Sequence, residues 1–115
     1  MSTISIKIRL PHQHLVAIGP GKADLLEAIG RSGSISAGAR EMGMSYKRAW
    51  DLVDAMNKSF RQPLVSTATG GSHGGGAKVT EFGQEVLERY RQLEQIASQS
   101  IASEAQALSA LLQPV

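Results

Sequence analysis

A chain of 115 residues, 42% of them hydrophobic, holds one modest core and little more. With no cysteine, disulfides, thiolate metal sites and cysteine nucleophiles are excluded, and neither a signal peptide nor an apolar run of about eighteen residues is present, so a cytoplasmic chain without a membrane partner is expected. The net charge of +2 is small but unevenly placed: residues 31–80 carry seven Lys and Arg against three acids, while residues 81–115 carry two against five, which suits a polyanion footprint in the middle and a segment held away from it at the end.

Ile4, Ile6, Ile8 and Leu10 alternate with Ser5, Lys7 and Arg9, the period of a half-buried strand, and predict a strand over residues 3–10. Residues 11–21, with two prolines, two histidines and two glycines, read as a linker, and Pro20 suits the first position of a helix. Leu25, Leu26 and Ile29 mark the inner face of that helix over residues 22–31, which Gly33 stops.

Residues 33–61 read as two helices joined by a tight turn. Ala39 falls where the pair crosses closely, and Gly43, four residues on, supplies the left-handed conformation that the turn needs. Ser45 then caps a second helix over residues 46–60, with Ala49, Leu52, Val53, Met56 and Phe60 facing inward. Lys47 and Arg48 stand in its first turn, where cations oppose the macrodipole by roughly 0.3–1 kcal/mol each. Their placement makes sense opposite an external polyanion such as a DNA phosphate strand. Trp50, beside the apolar stripe, is expected to close the core between helices. Tyr46 either touches a phosphate or base edge, or is a partly buried ring with its hydroxyl in water.

Pro63 ends this helix, and residues 64–69 and 77–80 predict a hairpin around a glycine-rich tip, residues 70–76, that includes Gly71, Ser72, His73, Gly74 and Gly75. Such a hairpin is the wing of a winged helix-turn-helix and lies beside the recognition helix on DNA. Thr80 caps a last helix over residues 81–112, whose apolar residues recur at spacings of three and four. At about 1.5 Å per residue that stripe of ~46 Å outruns a domain of this size. Val86, Tyr90, Leu93, Ala97, Ile101, Leu108 and Leu112 on it are therefore expected to face a second copy of the chain.

An enzyme would need a constellation that is missing. Gly19-Pro20-Gly21-Lys22 lacks the spacing and the hydroxyl residue of a phosphate loop, His12 and His14 have no third ligand, and His73 has no acid or nucleophile beside it. No catalytic residue, metal site or cofactor is expected.

Gly33-Ser34-Ile35-Ser36, Ser45-Tyr46-Lys47-Arg48-Ala49-Trp50-Asp51, Met56-Asn57, Gln62-Pro63-Leu64-Val65, the Ala-Thr-Gly-Gly run and Thr80-Glu81-Phe82-Gly83 closely resemble the DNA-binding domain of the molybdate-responsive transcriptional regulators, over about residues 3–95. The helix-turn-helix alone is also similar to that of LysR-type regulators. The resemblance implies a mainly α fold with a small β-sheet: a winged helix-turn-helix DNA-binding domain over residues 1–80, continuous with a dimerisation helix over residues 81–115. It also implies a transcriptional regulator that binds double-stranded DNA at an inverted-repeat operator as a homodimer. Ser34, Ser36, Ser45, Tyr46, Lys47, Arg48, Asp51 and Lys78, with the wing residues 71–75, are the implied DNA contacts. Members of that family continue into an oxyanion-binding domain of small β-barrels that this sequence does not contain, so the effector is left open. The alternative is a winged helix that contacts proteins or a ligand and does not bind DNA.

Overall fold

The structure, a computed structural model, describes residues 4–68 and 76–115. Three helices form the centre: α1 (Pro20–Ser32), α2 (Ile35–Met42) and α3 (Tyr46–Ser59). Pro20 opens α1 and Gly33, at φ 81°, closes it. The Ser34 hydroxyl caps α2 by accepting from the Ala37 amide at 3.0 Å, and Gly43 ends it at φ 69°. The Ser45 hydroxyl caps α3 by accepting from the Arg48 amide at 3.1 Å, so the predicted turn is the observed one. Ala39 is buried. At its neighbour Gly38, α1 and α2 lie close together, and a Cβ there would stand 2.9 Å from the Ile29 side chain.

The N-terminal reading needs correction. Residues 4–9 form no strand; the pairing begins at Leu10, the last residue of the predicted strand, where β1 (Leu10–His12) meets β2 (Leu15–Ile18) in an antiparallel hairpin that otherwise lies in the predicted linker. Gln13 makes the turn at a positive φ of 56°. The isoleucine alternation reports only which side faces inward, and Ile6 and Ile8 are half-buried as it requires. A ladder also needs a backbone partner, and for this segment the partner is a side chain: the Tyr90 hydroxyl donates to the Ile8 carbonyl at 2.7 Å.

The second hairpin is the predicted one. β3 (Val65–Ala68) and β4 (Gly76–Val79) pair antiparallel with Val65 opposite Val79 and Ser66 opposite Lys78. Ala77 and Val79 point into the core and Lys78 points out, the period of two expected of a one-sided hairpin. The Ala77 amide donates to the Gly33 carbonyl at 2.9 Å, which ties the hairpin to the α1–α2 turn. Leu25, Leu26, Ile29, Met56 and Leu64 are the large side chains fully buried between these layers.

The long helix α4 (Glu81–Ser109) starts from a crowded junction. The Thr80 hydroxyl accepts from the Gly83 amide at 2.9 Å and donates to the Pro63 carbonyl at 2.7 Å, while the Thr80 amide donates to the Leu64 carbonyl at 2.9 Å. Leu87 and Tyr90 are buried in the core and Val86 packs against it. Arg91 ends the attachment, bonding to Asp24 at 2.7 Å and to Glu27 on α1, and to Glu94 at 2.9 Å on its own helix. Burial alone would lower the Arg91 pKa, but the hydrogen bonds it donates to Glu27, Asp24 and Glu94 outweigh it and raise the value, so the guanidinium stays charged. Beyond Glu94 no residue of α4 is buried, which accounts for a longest dimension of 58 Å against 31 and 24 Å.

Two substitutions test this junction. A Cβ at Gly83 would overlap the Leu64 carbonyl oxygen and stand 2.9 Å from Val79 Cγ1. Gly83→Ala is therefore expected to lower stability by about 1–3 kcal/mol, whereas Gly21→Ala, with nothing within 4 Å of the added carbon, should leave the urea midpoint unchanged or raise it. Asn57 on α3 accepts from the Leu64 and Val65 amides at 2.8 and 3.2 Å and donates to the Val65 carbonyl at 3.0 Å. Asn57→Ala strands these part-buried groups and should cost about 1–3 kcal/mol, read as a lower melting temperature together with faster amide exchange at Val65.

Candidate nucleic-acid interface

Successive residues of an α-helix are about 100° apart, from its 3.6 residues per turn, so the first two turns of α3 present three different faces. Tyr46 and Trp50, four residues apart, face the β3–β4 hairpin. Together with Ser34, Ile35, Thr67 and Gly76 they line a cleft of about 300 Å³ between the helix and the hairpin. Lys47 and Asp51 form the outward face and pair with each other at 3.0 Å, with side chains 84% and 56% exposed. Such a pair contributes about 0.3–0.5 kcal/mol, so Lys47 is only weakly held to Asp51.

Arg48 faces the other way. It opens onto a second concavity, of about 430 Å³, whose walls also carry Lys7 and Arg9 from the N-terminal segment and Lys22 from the first turn of α1. The described residues place no carboxylate on these walls, and Lys7, Arg9 and Arg48 make no ion pair among those residues. Lys22 donates to the Val16 carbonyl, and partial burial lowers its pKa. Four cations thus converge on one hollow beside the start of the recognition helix. The sequence places Arg48 here but puts Lys7 and Arg9 in a predicted strand and Lys22 at the start of the first predicted helix. The alternation of Lys7 and Arg9 on the polar side of that segment was the available signal.

The other sequence-predicted positions divide. Ser34 and Ser45 use their hydroxyl oxygens as helix caps, while Ser36 is exposed on the first turn of α2 at the cleft. Lys78 is exposed on the outer face of the hairpin, beside Ser66 and Thr67. Gly71, Ser72, His73, Gly74 and Gly75 lie outside the described residues. Trp50 was expected in the core and is 45% exposed instead. The buried stripe of α3 runs through Ala49, Val53 and Met56, and residue 50 is turned off it toward the hairpin.

The dimer set also changes. Tyr90 is 3% exposed, with its hydroxyl bonded to the Ile8 carbonyl, and Val86 packs on the same core. Both belong to the protomer's own interior and leave the proposed set. Leu93, Leu108 and Leu112 are exposed, as are Ile96 and Leu111, which periodicity alone had not selected. The helix itself ends at Ser109, before Leu112.

Among the described residues no three His, Cys, Asp or Glu side chains gather as a metal site, and no helix is long and apolar enough to cross a membrane.

The pattern described as "Bacterial regulatory helix-turn-helix protein, lysR family" matches residues 22–84, from α1 to the start of α4. The molybdenum-pterin-binding protein MopA of Rhodobacter capsulatus is 51% identical over 77 residues, which are 67% of this chain and 29% of that protein. The DNA-binding transcriptional dual regulator ModE of Escherichia coli K12 is 44% identical over 91 residues, 79% of this chain and 35% of that one. The chain thus spans about a third of the length of the curated relatives it matches. Full-length LysG from Corynebacterium glutamicum shares the fold, with a TM-score of 0.56 at 21% identity over 78% of this chain and 29% of that one. With the capped helix pair, the wing hairpin and the family pattern all falling on the same residues, the chain belongs to the LysR family of bacterial regulatory helix-turn-helix proteins.

Proposed function

We propose that this protein is a transcriptional regulator that binds double-stranded DNA as a homodimer at an inverted-repeat operator. The observation that carries the reading is the start of α3, where Lys47 points outward and Arg48 joins Lys7, Arg9 and Lys22 around one hollow. Lys7, Arg9 and Arg48 make no ion pair among the described residues, Lys47 is held only by the exposed Asp51, and Lys47 and Arg48 oppose the dipole of α3, so an external polyanion is what they serve. The recognition helix enters the major groove with its first turns, and Ser36, Tyr46, Lys47, Arg48 and Asp51 meet base edges or phosphates there. Lys78 and the wing residues 71–75 approach the backbone beside it. By likeness to relatives named for molybdenum transport and molybdenum-pterin binding, the regulated genes concern molybdenum.

Residues 1–80 form the DNA-binding domain in this reading. Residues 81–115 pair the protomers through Leu93, Ile96, Ala97, Ile101 and Leu108, and Leu112 lies just past the helix end. An exposed series of this kind along half of a long helix is an association surface. Leu108 is 63% and Leu111 81% exposed in the single chain. Two-fold pairing presents two recognition helices to DNA, with half-sites about 34–36 Å apart or a multiple of that distance.

Two measurements test the proposal. Lys47→Ala with Arg48→Ala should weaken binding to a DNA duplex and reduce the slope of log affinity against log salt by about 2, near 0.9 for each phosphate no longer neutralised. An unchanged slope would exclude both residues from the phosphates. Removal of residues 96–115 should turn a sedimenting dimer into a monomer and cost far more affinity for an inverted repeat than for random duplex, because linked half-site contacts become separate. A monomeric intact chain at micromolar concentration would overturn the homodimer.

A further inference from the structure

Tyr46 and Trp50 stand 54% and 45% exposed in the first two turns of α3, and they look into the cleft whose opposite wall is the β3–β4 hairpin. The remaining large exposed apolar side chains lie on the N-terminal segment and hairpin, on α4 and on the residues after it, so among the described residues this aromatic pair is the apolar surface left open between recognition helix and wing. A recognition helix occupies a major groove and a wing lies at the adjacent minor groove. The sugar-phosphate strand separating those grooves then has to pass between the two elements, across this cleft. The lining suits such a strand: two aromatic rings offer apolar faces to deoxyribose, and Ser36 and Thr67 offer hydroxyls. Indole carries one N–H that can donate to a phosphate oxygen, and Lys47 adds positive charge on the adjoining face of the helix.

We propose that Trp50, with Tyr46, is the surface on which the DNA strand between the two grooves packs, the rings against deoxyribose and the indole N–H toward a phosphate. The assignment rests on the DNA-binding reading above and adds to it a sequence-independent contact. The ring meets the strand rather than a base edge, so it strengthens binding to every duplex alike.

Trp50 is the sole tryptophan, so its emission reports this cleft directly. Titration of the intact protein with a random-sequence duplex at low salt should shift or quench that emission and reduce its quenching by acrylamide. Trp50→Ala should weaken binding to random duplex and to an inverted repeat by a similar factor, about tenfold for one aromatic contact, while leaving the salt slope unchanged because no charge is removed. Trp50→Phe should recover most of the loss. If Trp50→Ala does not fold, the emission and acrylamide measurements on the intact protein decide alone. Duplex binding with unmoved emission and unaltered acrylamide access would overturn this assignment and leave the DNA-binding reading standing. Emission that responds to protein concentration instead of duplex would show the ring covered by a second copy and overturn it equally. Absence of any duplex binding would overturn both.

Discussion

The Leu64 carbonyl is where the architecture is decided. It accepts the Thr80 amide, it lies against the Cα of Gly83, and its residue's own amide is held by Asn57. The end of α3, the start of the wing and the start of α4 are therefore fixed to one another within a few atoms. Hydrogen bonds of this kind contribute only about 0.5–1.5 kcal/mol each, yet leaving the same part-buried groups without partners costs more. Geometry matters here beyond stability. Asn57 ties the first residues of the wing to α3, whose first two turns form the other wall of the cleft.

Much of this was legible locally. Ser34, Ser45 and Thr80 cap the helices that follow them, Gly33 and Gly43 take left-handed conformations, and the wing strands pair in a regular register. The caps and glycine turns are settled by residues within four positions of one another, the range over which sequence patterns speak, while the wing pairing joins Val65 to Val79. The failures are of another kind. The alternation of Ile4, Ile6 and Ile8 states a facing preference without stating a partner, and a tyrosine 82 residues away supplied one. The Gln13 turn carries neither glycine nor asparagine, so the β1–β2 hairpin left no local mark. Trp50 stands beside the apolar stripe and is expected to close the core, but the step of about 100° from Ala49 carries it off the buried line of Ala49, Val53 and Met56.

The candidate interface was legible in the same uneven way. Lys47 and Arg48 could be placed at the start of the recognition helix because their cap is adjacent in sequence. The alternation marks Lys7 and Arg9 as outward, but that they share a hollow with Lys22 and Arg48 follows only from the packing of the N-terminal segment and the start of α1 beside α3. The two cations of one helical turn consequently serve two different surfaces.

Arg91 is the last point at which α4 is fastened to the rest of the molecule, through Asp24 and Glu27 on α1. Everything beyond it, from Gln92 to Ser109, is a rigid arm of eighteen residues, about 27 Å at 1.5 Å per residue. Such an arm works as a lever with its fulcrum at a single guanidinium. A slight pivot there moves the far tip by several times the displacement felt at α1, so the direction of the arm is set by the two α1 carboxylates that hold one arginine.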